Sequence, residues 1–481
     1  MASVSNVNFD PELEVANSIV PLDWLVFTVI IGITLGAVVL GEYRKRTTLP
    51  NADEETRLLD ILLMGRRLTL PMFIATLVAT WYGGIFGVTE MAFEYGIYNF
   101  VTQGVFWYAA YIIFALFIVH RVRRYEAVTL PDLVSRMFGP KSGRLSAVFN
   151  LFNVLPIAYV ISVGLLLQIL FGGPLWLTMS IGVVFVLMYA MWGGLRAVVF
   201  SDIVQFFVMC FAVLLVVILS VTQFGGLSFL REQLPETHFS ITGGQSWGTL
   251  VVWGIVALST LVDPNFYQRC FAADSTRTAK VGILLSTVVW FFFDICTTLG
   301  GMYAFALIPE AASGHAYLIY AVQLLPDGWR GFMLAGVAAT ILSTLDSYLF
   351  LAGTTVSYDL VPERFRGRVA LHHLGMIVSG IAAVVLGVAF EGNIMQVWKT
   401  LGSYMAACLL LPMMIGYFWP GRIADNQFVF ASLLGAAGTT IWRFTEQTGF
   451  WANVDSLYAG ALCTGIGLIL FARCKSTTVG S

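Results

Sequence analysis

Leu77-Val78-Ala79-Thr80-Trp81-Tyr82-Gly83-Gly84-Ile85-Phe86-Gly87 carries three glycines in five positions inside an otherwise apolar run. Glycine costs a helix about 1 kcal/mol relative to alanine, so this stretch predicts a helix that breaks. A break frees carbonyl oxygens. Within a bilayer such oxygens are tolerated only where protein or a water-filled cavity meets them. Freed carbonyls and nearby hydroxyls make a hard, oxygen-rich cage that suits Na+ and needs no histidine or thiol. Trp81, Tyr82 and Phe86 would wall an adjacent pocket. The competing reading is that the glycines only let two helices pack closely.

The rest of the chain supplies the bilayer setting. Its 481 residues are 58% hydrophobic and 11% charged, with a formal net charge of −2. Soluble domains carry about 25% charged residues. This composition excludes a soluble enzyme and a disordered scaffold, and the missing basic surface excludes a nucleic-acid binder. The 6 cysteines are too scattered for a disulfide framework. No nucleotide-binding loop, paired metal ligands or nucleophile–base pair stands out, so no catalytic residue is expected.

A spanning helix needs about 20 apolar residues, and hydropathy marks about thirteen candidates. They lie near 22–42, 70–92, 101–120, 146–171, 175–192, 203–223, 248–263, 281–308, 331–352, 370–390, 394–418, 427–443 and 457–473. Asp10, Glu12 and Glu14 precede the first, which argues against a cleavable signal peptide. The odd-numbered loops and the tail hold twenty-two of the 26 basic residues, including Arg66, Arg123, Arg196, Arg269, Arg366, Arg422, Arg473 and Lys475. The opposite loops keep only Arg231 and Arg330. The positive-inside rule then predicts a plasma or inner membrane protein with its N-terminus outside and its C-terminus in the cytoplasm.

Polar residues at membrane depth are costly and mark pathways. Asp202, Asp263, Asp294 and Asp346 are such residues, and Lys399 stands near a span entrance. In the ninth span, Thr340, Ser343, Thr344, Asp346 and Ser347 put five oxygen-bearing side chains within eight residues. Residues 340, 343, 344 and 347 share one helical face. The alternative role for those hydroxyls is back-bonding to their own helix.

At this point the sequence resembles the sodium:solute symporters over about residues 60–420. The most specific match is Trp192-Gly193-Gly194-Leu195-Arg196-Ala197-Val198-Val199-Phe200-Ser201-Asp202-Ile203-Val204-Gln205. Four further blocks follow the family order: Met64-Gly65-Arg66-Arg67-Leu68, Glu126-Ala127-Val128-Thr129-Leu130-Pro131-Asp132-Leu133, Tyr267-Gln268-Arg269-Cys270-Phe271-Ala272-Ala273 and Leu342-Ser343-Thr344-Leu345-Asp346-Ser347.

The resemblance implies an all-α membrane fold of the LeuT type, with two inverted five-helix repeats. Residues 70–223 would form one repeat and 248–418 the other. Residues 1–69 and 427–481 would be peripheral. It implies a main Na+ site from the hydroxyls of Ser343 and Thr344 and the carbonyls of Thr340, Leu77 and Thr80. A second cation or proton site would lie at Asp202, Asp346 and Ser347. Here Asp346 stands where relatives carry a neutral ligand, so two carboxylates would share one place. The substrate pocket would draw on Trp81, Tyr82, Phe86, Gln103, Trp107 and Tyr108, with Trp253 and Tyr404 as weaker contributors.

The function so implied is sodium-coupled secondary transport importing a small organic solute by alternating access. Sodium is the only metal expected, the bilayer and the solute are the partners, and one chain suffices for function. A solute sensor, or a Na+-independent or proton-coupled transporter on the same fold, are the rivals. The sequence ends shortly after its last span, which favours transport over a sensor with an output domain.

Overall fold

The computed structural model describes residues 9–48, 54–448, 451 and 454–470. Arg473 and Lys475, and the side chains of Lys45, Arg46 and Arg57, lie outside the described residues. What is described is almost wholly helical. Its one β-type pairing is an isolated bridge between Leu68 and Ala273.

Every stretch expected to span contains helix. Nine helices among the described residues are long and apolar enough to cross a membrane. One of them, Leu175–Phe224, runs 50 residues and joins the expected fifth and sixth spans through Gly194, where φ is 64° and ψ is −165°. Only glycine adopts that conformation cheaply, so the chain turns there. The second span is divided into Leu70–Ala79 and Ile85–Tyr95. The last two helices, Asp425–Phe444 and Ser456–Leu470, have 20 and 15 residues.

The fourth span departs from the continuous run expected of it. It is split into Pro140–Asn153 and Ile157–Phe171. Pro156 lies in the gap, and proline has no N–H to continue the helical ladder.

Burial orders these helices around one axis. The ninth span, Trp329–Asp359, is buried throughout its most apolar stretch, against 17% for the first, Pro21–Arg44. Small residues let its neighbours close in. A Cβ on Gly336 would lie 2.3 Å from the Cβ of Ala212. A Cβ on Gly301, in the eighth span Thr276–Leu307, would lie 2.6 Å from the Cβ of Ala92 and 2.9 Å from the Thr89 carbonyl. The second half of the broken span is thus pressed against the eighth.

The odd-numbered loops meet one another at one end of the bundle. Arg66 donates to the carbonyl of Glu126 at 2.9 Å, and Arg123 donates to those of Cys270 and Ala273 at 2.5 and 2.9 Å. Arg196 pairs with the buried Asp60. Arg269 is an exception to the loop assignment. It sits fully buried in the short helix Pro264–Ala272, inside the protein. Asp263 caps that helix, so the chain is helical from Pro264 where basic-residue counting assumes loop.

Replacing Gly301 by valine should lower the melting temperature in detergent. An overpacked core position costs about 1–3 kcal/mol, and here the obstruction includes the backbone of residue 89.

Candidate ion and solute site

The gap in the second span runs over 80–84. The last carbonyls of a helix lack intrahelical partners and must find others. Thr76 O accepts from the Thr80 N–H at 3.2 Å and from the Thr80 hydroxyl at 2.7 Å. Thr80 O accepts from the Asn265 amide at 3.3 Å. Ala79 O accepts from Ser343 Oγ at 2.7 Å and Thr344 Oγ1 at 3.4 Å, across from the ninth span.

The expected hydroxyls therefore face the break, but on the Ala79 carbonyl rather than that of Leu77 or Thr80. Leu77 O receives only the long 3.5 Å contact from Thr80 Oγ1. Ser343 Oγ also reaches the Ala339 and Thr340 carbonyls at 2.7 and 3.2 Å, and Thr344 Oγ1 reaches Thr340 O at 3.0 Å. Helix back-bonding and contact with the break coexist at these two residues. All the atoms are buried, uncharged oxygens, a donor set that fits a hard monovalent cation.

Asp202 and Asp346 lie deeper, with Arg269 between them. Asp202 Oδ2 accepts from Thr76 Oγ1 at 2.5 Å and lies 4.0 Å from Arg269 Nη2. The same Nη2 donates to Ser347 Oγ at 2.9 Å and to Thr76 Oγ1 at 3.3 Å. Asp346 Oδ2 accepts from Tyr189 at 3.1 Å, while Oδ1 of each aspartate has no hydrogen-bond partner. Sequence reasoning brought the two aspartates and Ser347 together but missed Arg269. Its family block was recognised, yet its basic side chain was assigned to a loop.

A cavity of about 110 Å³ opens beside the break. Trp81, Tyr82, Gln103 and Trp107 line it as expected. Gln103 stands in the π-helical stretch Phe100–Val105, an irregularity that widens the third span at the cavity. The other expected residues point elsewhere. Phe86 is buried in the core. Tyr108 and Tyr82 both donate to Asp294, which makes that buried carboxylate a brace for the break. Trp253 packs with Met91 and Tyr98, and Tyr404 bonds Thr440 at 2.8 Å. Tyr159, Tyr348, Trp398 and Asp263 complete the cavity wall unforeseen.

The break joins the two sites. A Cβ on Gly83 would lie 2.5 Å from Thr344 Cβ and 2.6 Å from the Tyr159 ring, and one on Gly84 would meet Trp398 at 2.0 Å. Backbone without side chains is thus wedged between the hydroxyl cluster and the cavity wall.

Comparison with known proteins identifies the family and the fold. Residues 62–435 match the model of the sodium:solute symporter family. The sodium/pantothenate symporter of Escherichia coli is 25% identical over 378 residues, 72% of this chain and 75% of that protein. The osmoregulated proline transporter OpuE of Bacillus subtilis is 24% identical, over 73% of this chain and 77% of its own. Among solved structures, a substrate-bound, outward-open Na+-coupled sialic acid symporter superposes with a TM-score of 0.75 at 17% identity, covering 94% of this chain and 97% of its own. Mhp1, a nucleobase-cation-symport-1 transporter, gives a TM-score of 0.53 at 12% identity, covering 83% and 90%.

Gly83→Ala should push the break away from Thr344. The expected result is a lost or strongly reduced stabilisation by NaCl over KCl in a thermal-shift assay, with the protein still folded in KCl.

Proposed function

The chain belongs to the sodium:solute symporter family, and on that premise we propose that it imports a small organic solute by alternating access, driven by the Na+ gradient. It is an integral, multi-pass membrane protein of the LeuT-type fold, in a family of transporters rather than enzymes. The observation that carries the proposal is the contact of Ser343 and Thr344 with the Ala79 carbonyl at the break. Bound there, Na+ would take oxygens from both the second and the ninth span. Its charge would offset the cost of bringing buried carbonyl dipoles together. Occupancy would thereby favour one mutual position of the two helices, and a ligand shifts an equilibrium only through such a difference.

The solute would bind in the cavity beside the same break, against Trp81, Tyr82, Gln103 and Trp107. Since Gly83 separates Thr344 from Tyr159, loading the ion would hold the cavity wall in place for the solute. Residues 70–223 and 248–418 are proposed as the repeats that rock about this site. The end where the basic odd-numbered loops meet is proposed as cytoplasmic, with each chain working alone.

A second cation position is proposed at Asp202, Asp346 and Ser347, with Arg269 as its resident cation. The guanidinium already holds Ser347 and neighbours Asp202. A second Na+ would have to displace it, and leaving a buried charge unpaired costs several kcal/mol, about 3–5 in measured cases.

Two measurements test this reading. In proteoliposomes with an inward Na+ gradient, Ser343→Ala and Thr344→Ala should each raise the Na+ concentration for half-maximal uptake at least about tenfold, the equivalent of one lost ligand. Uptake that is independent of Na+ in the parent protein would sink the proposal. The Na+-to-solute ratio, read from reversal potentials, should be one in the parent and unchanged in Asp346→Asn. A ratio that falls by one in the variant would instead assign a second ion to Asp346.

A further inference from the structure

We propose that the solute carries a positively charged nitrogen, which docks on Asp263 within an aromatic cage. This deepens the transport reading above and rests on it.

The cavity has a one-sided chemistry. Six aromatic residues line it: Trp81, Tyr82, Trp107, Tyr159, Tyr348 and Trp398. Its one charged lining residue among the described residues is Asp263, with no lysine, arginine or histidine on the wall. Aromatic faces carry negative quadrupole density and attract organic cations, most strongly where water is excluded. A carboxylate adds to that attraction. An anionic solute would meet repulsion from both.

Asp263 has capacity to spare. Its Oδ1 accepts the backbone N–H groups of Asn265 at 2.8 Å and Phe266 at 3.4 Å, capping the helix Pro264–Ala272. Its Oδ2 receives only the Tyr348 hydroxyl, at 3.4 Å. No cationic side chain among the described residues lies within 4 Å of it. The nearby Arg269 is committed to Ser347, Thr76 and Gln268. A largely buried carboxylate on the wall of a mainly apolar cavity gains most from a ligand that brings its own positive charge.

Two other lining residues indicate what else the solute bears. Gln103 Nε2 and Trp107 Nε1 are buried donors without a partner, and unsatisfied buried donors call for an acceptor. A small solute with a cationic nitrogen and an oxygen suits both sets of groups: an amino alcohol, a betaine or an amino acid. The volume of about 110 Å³ is well below that of a drug-sized pocket, which favours a small solute. A sugar would bring many hydroxyls to a wall that is mostly aromatic and aliphatic.

The experiment replaces only the charged nitrogen. Purified full-length protein in detergent is titrated in NaCl with choline and glycine betaine, and with their carbon isosteres 3,3-dimethyl-1-butanol and 3,3-dimethylbutyrate. A wider set adds small amines, amino acids, glucose and pyruvate. Binding linkage makes a ligand visible as a rise in melting temperature. The expected result is stabilisation by at least one solute carrying a positive nitrogen, and none by a carbon isostere. Asp263→Asn, which can still cap the helix, should bind that solute at least about tenfold more weakly, a loss of about 1.4 kcal/mol or more. Equal binding of a nitrogen compound and its carbon isostere would overturn the inference, as would a set in which no positively charged solute binds. Stabilisation by NaCl over KCl without solute is recorded in parallel. If it persists while the cationic solutes fail, only this inference falls; if it is absent, the sodium-coupled reading falls first.

Discussion

A carbonyl oxygen without a partner is expensive inside a membrane, and the molecule is organised around one place where the chain exposes such oxygens. The second span stops being helical after Ala79 and resumes at Ile85. The Ala79 carbonyl is met by hydroxyls of the ninth span, and the Thr80 carbonyl by Asn265. Each partner must be held exactly where the break needs it. That requirement explains why the ninth is the most enclosed of the candidate spans among the described residues and why a neighbour approaches it on a glycine contact. Leaving either carbonyl unsatisfied in a low-dielectric interior would cost more than the helix gains from being continuous elsewhere.

The same economy governs the charges. Asp294 is deep in an apolar span, and its two tyrosine donors come from the break and from the third span. Asp202 and Asp346 share the interior with Arg269, so two buried carboxylates stand against one guanidinium. Asp263 spends one oxygen on a helix cap and presents the other toward the cavity. Three of these four aspartates are tied into the protein's own network. The fourth faces the space a ligand would enter, and this asymmetry separates braces from binding groups more clearly than depth in the membrane does.

The candidate site was only partly legible in the sequence. Gly83 and Gly84 pointed to the break, because clustered glycines weaken a helix, although close helix packing was an open alternative reading of the same residues. Ser343 and Thr344 stood out because residues 340, 343, 344 and 347 share one helical face, and the family resemblance is what pointed their hydroxyls at an ion. The exact carbonyl was missed by one or two positions, since a helix can end at any of several residues near a glycine pair. Tyr159, Tyr348 and Trp398 were missed because an aromatic residue in a span looks the same whether it packs or lines a cavity. Only the path of the backbone distinguishes the two: Pro156 bends the fourth span before Tyr159, and Gly84 lets Trp398 lie over the break.

The sequence by itself determined the environment, the helical class and the location of the break. These follow from composition, hydropathy and glycine spacing, all of which are local. Tertiary structure alone decided which charges meet. Arg269 reads as one more basic residue of a loop, and its helix, capped by Asp263, carries it inward to Thr76 and Ser347 from the second and ninth spans. These contacts depend on distances of a few ångströms between residues as much as 193 positions apart. Such distances are properties of packed helices, which no local pattern along the chain encodes.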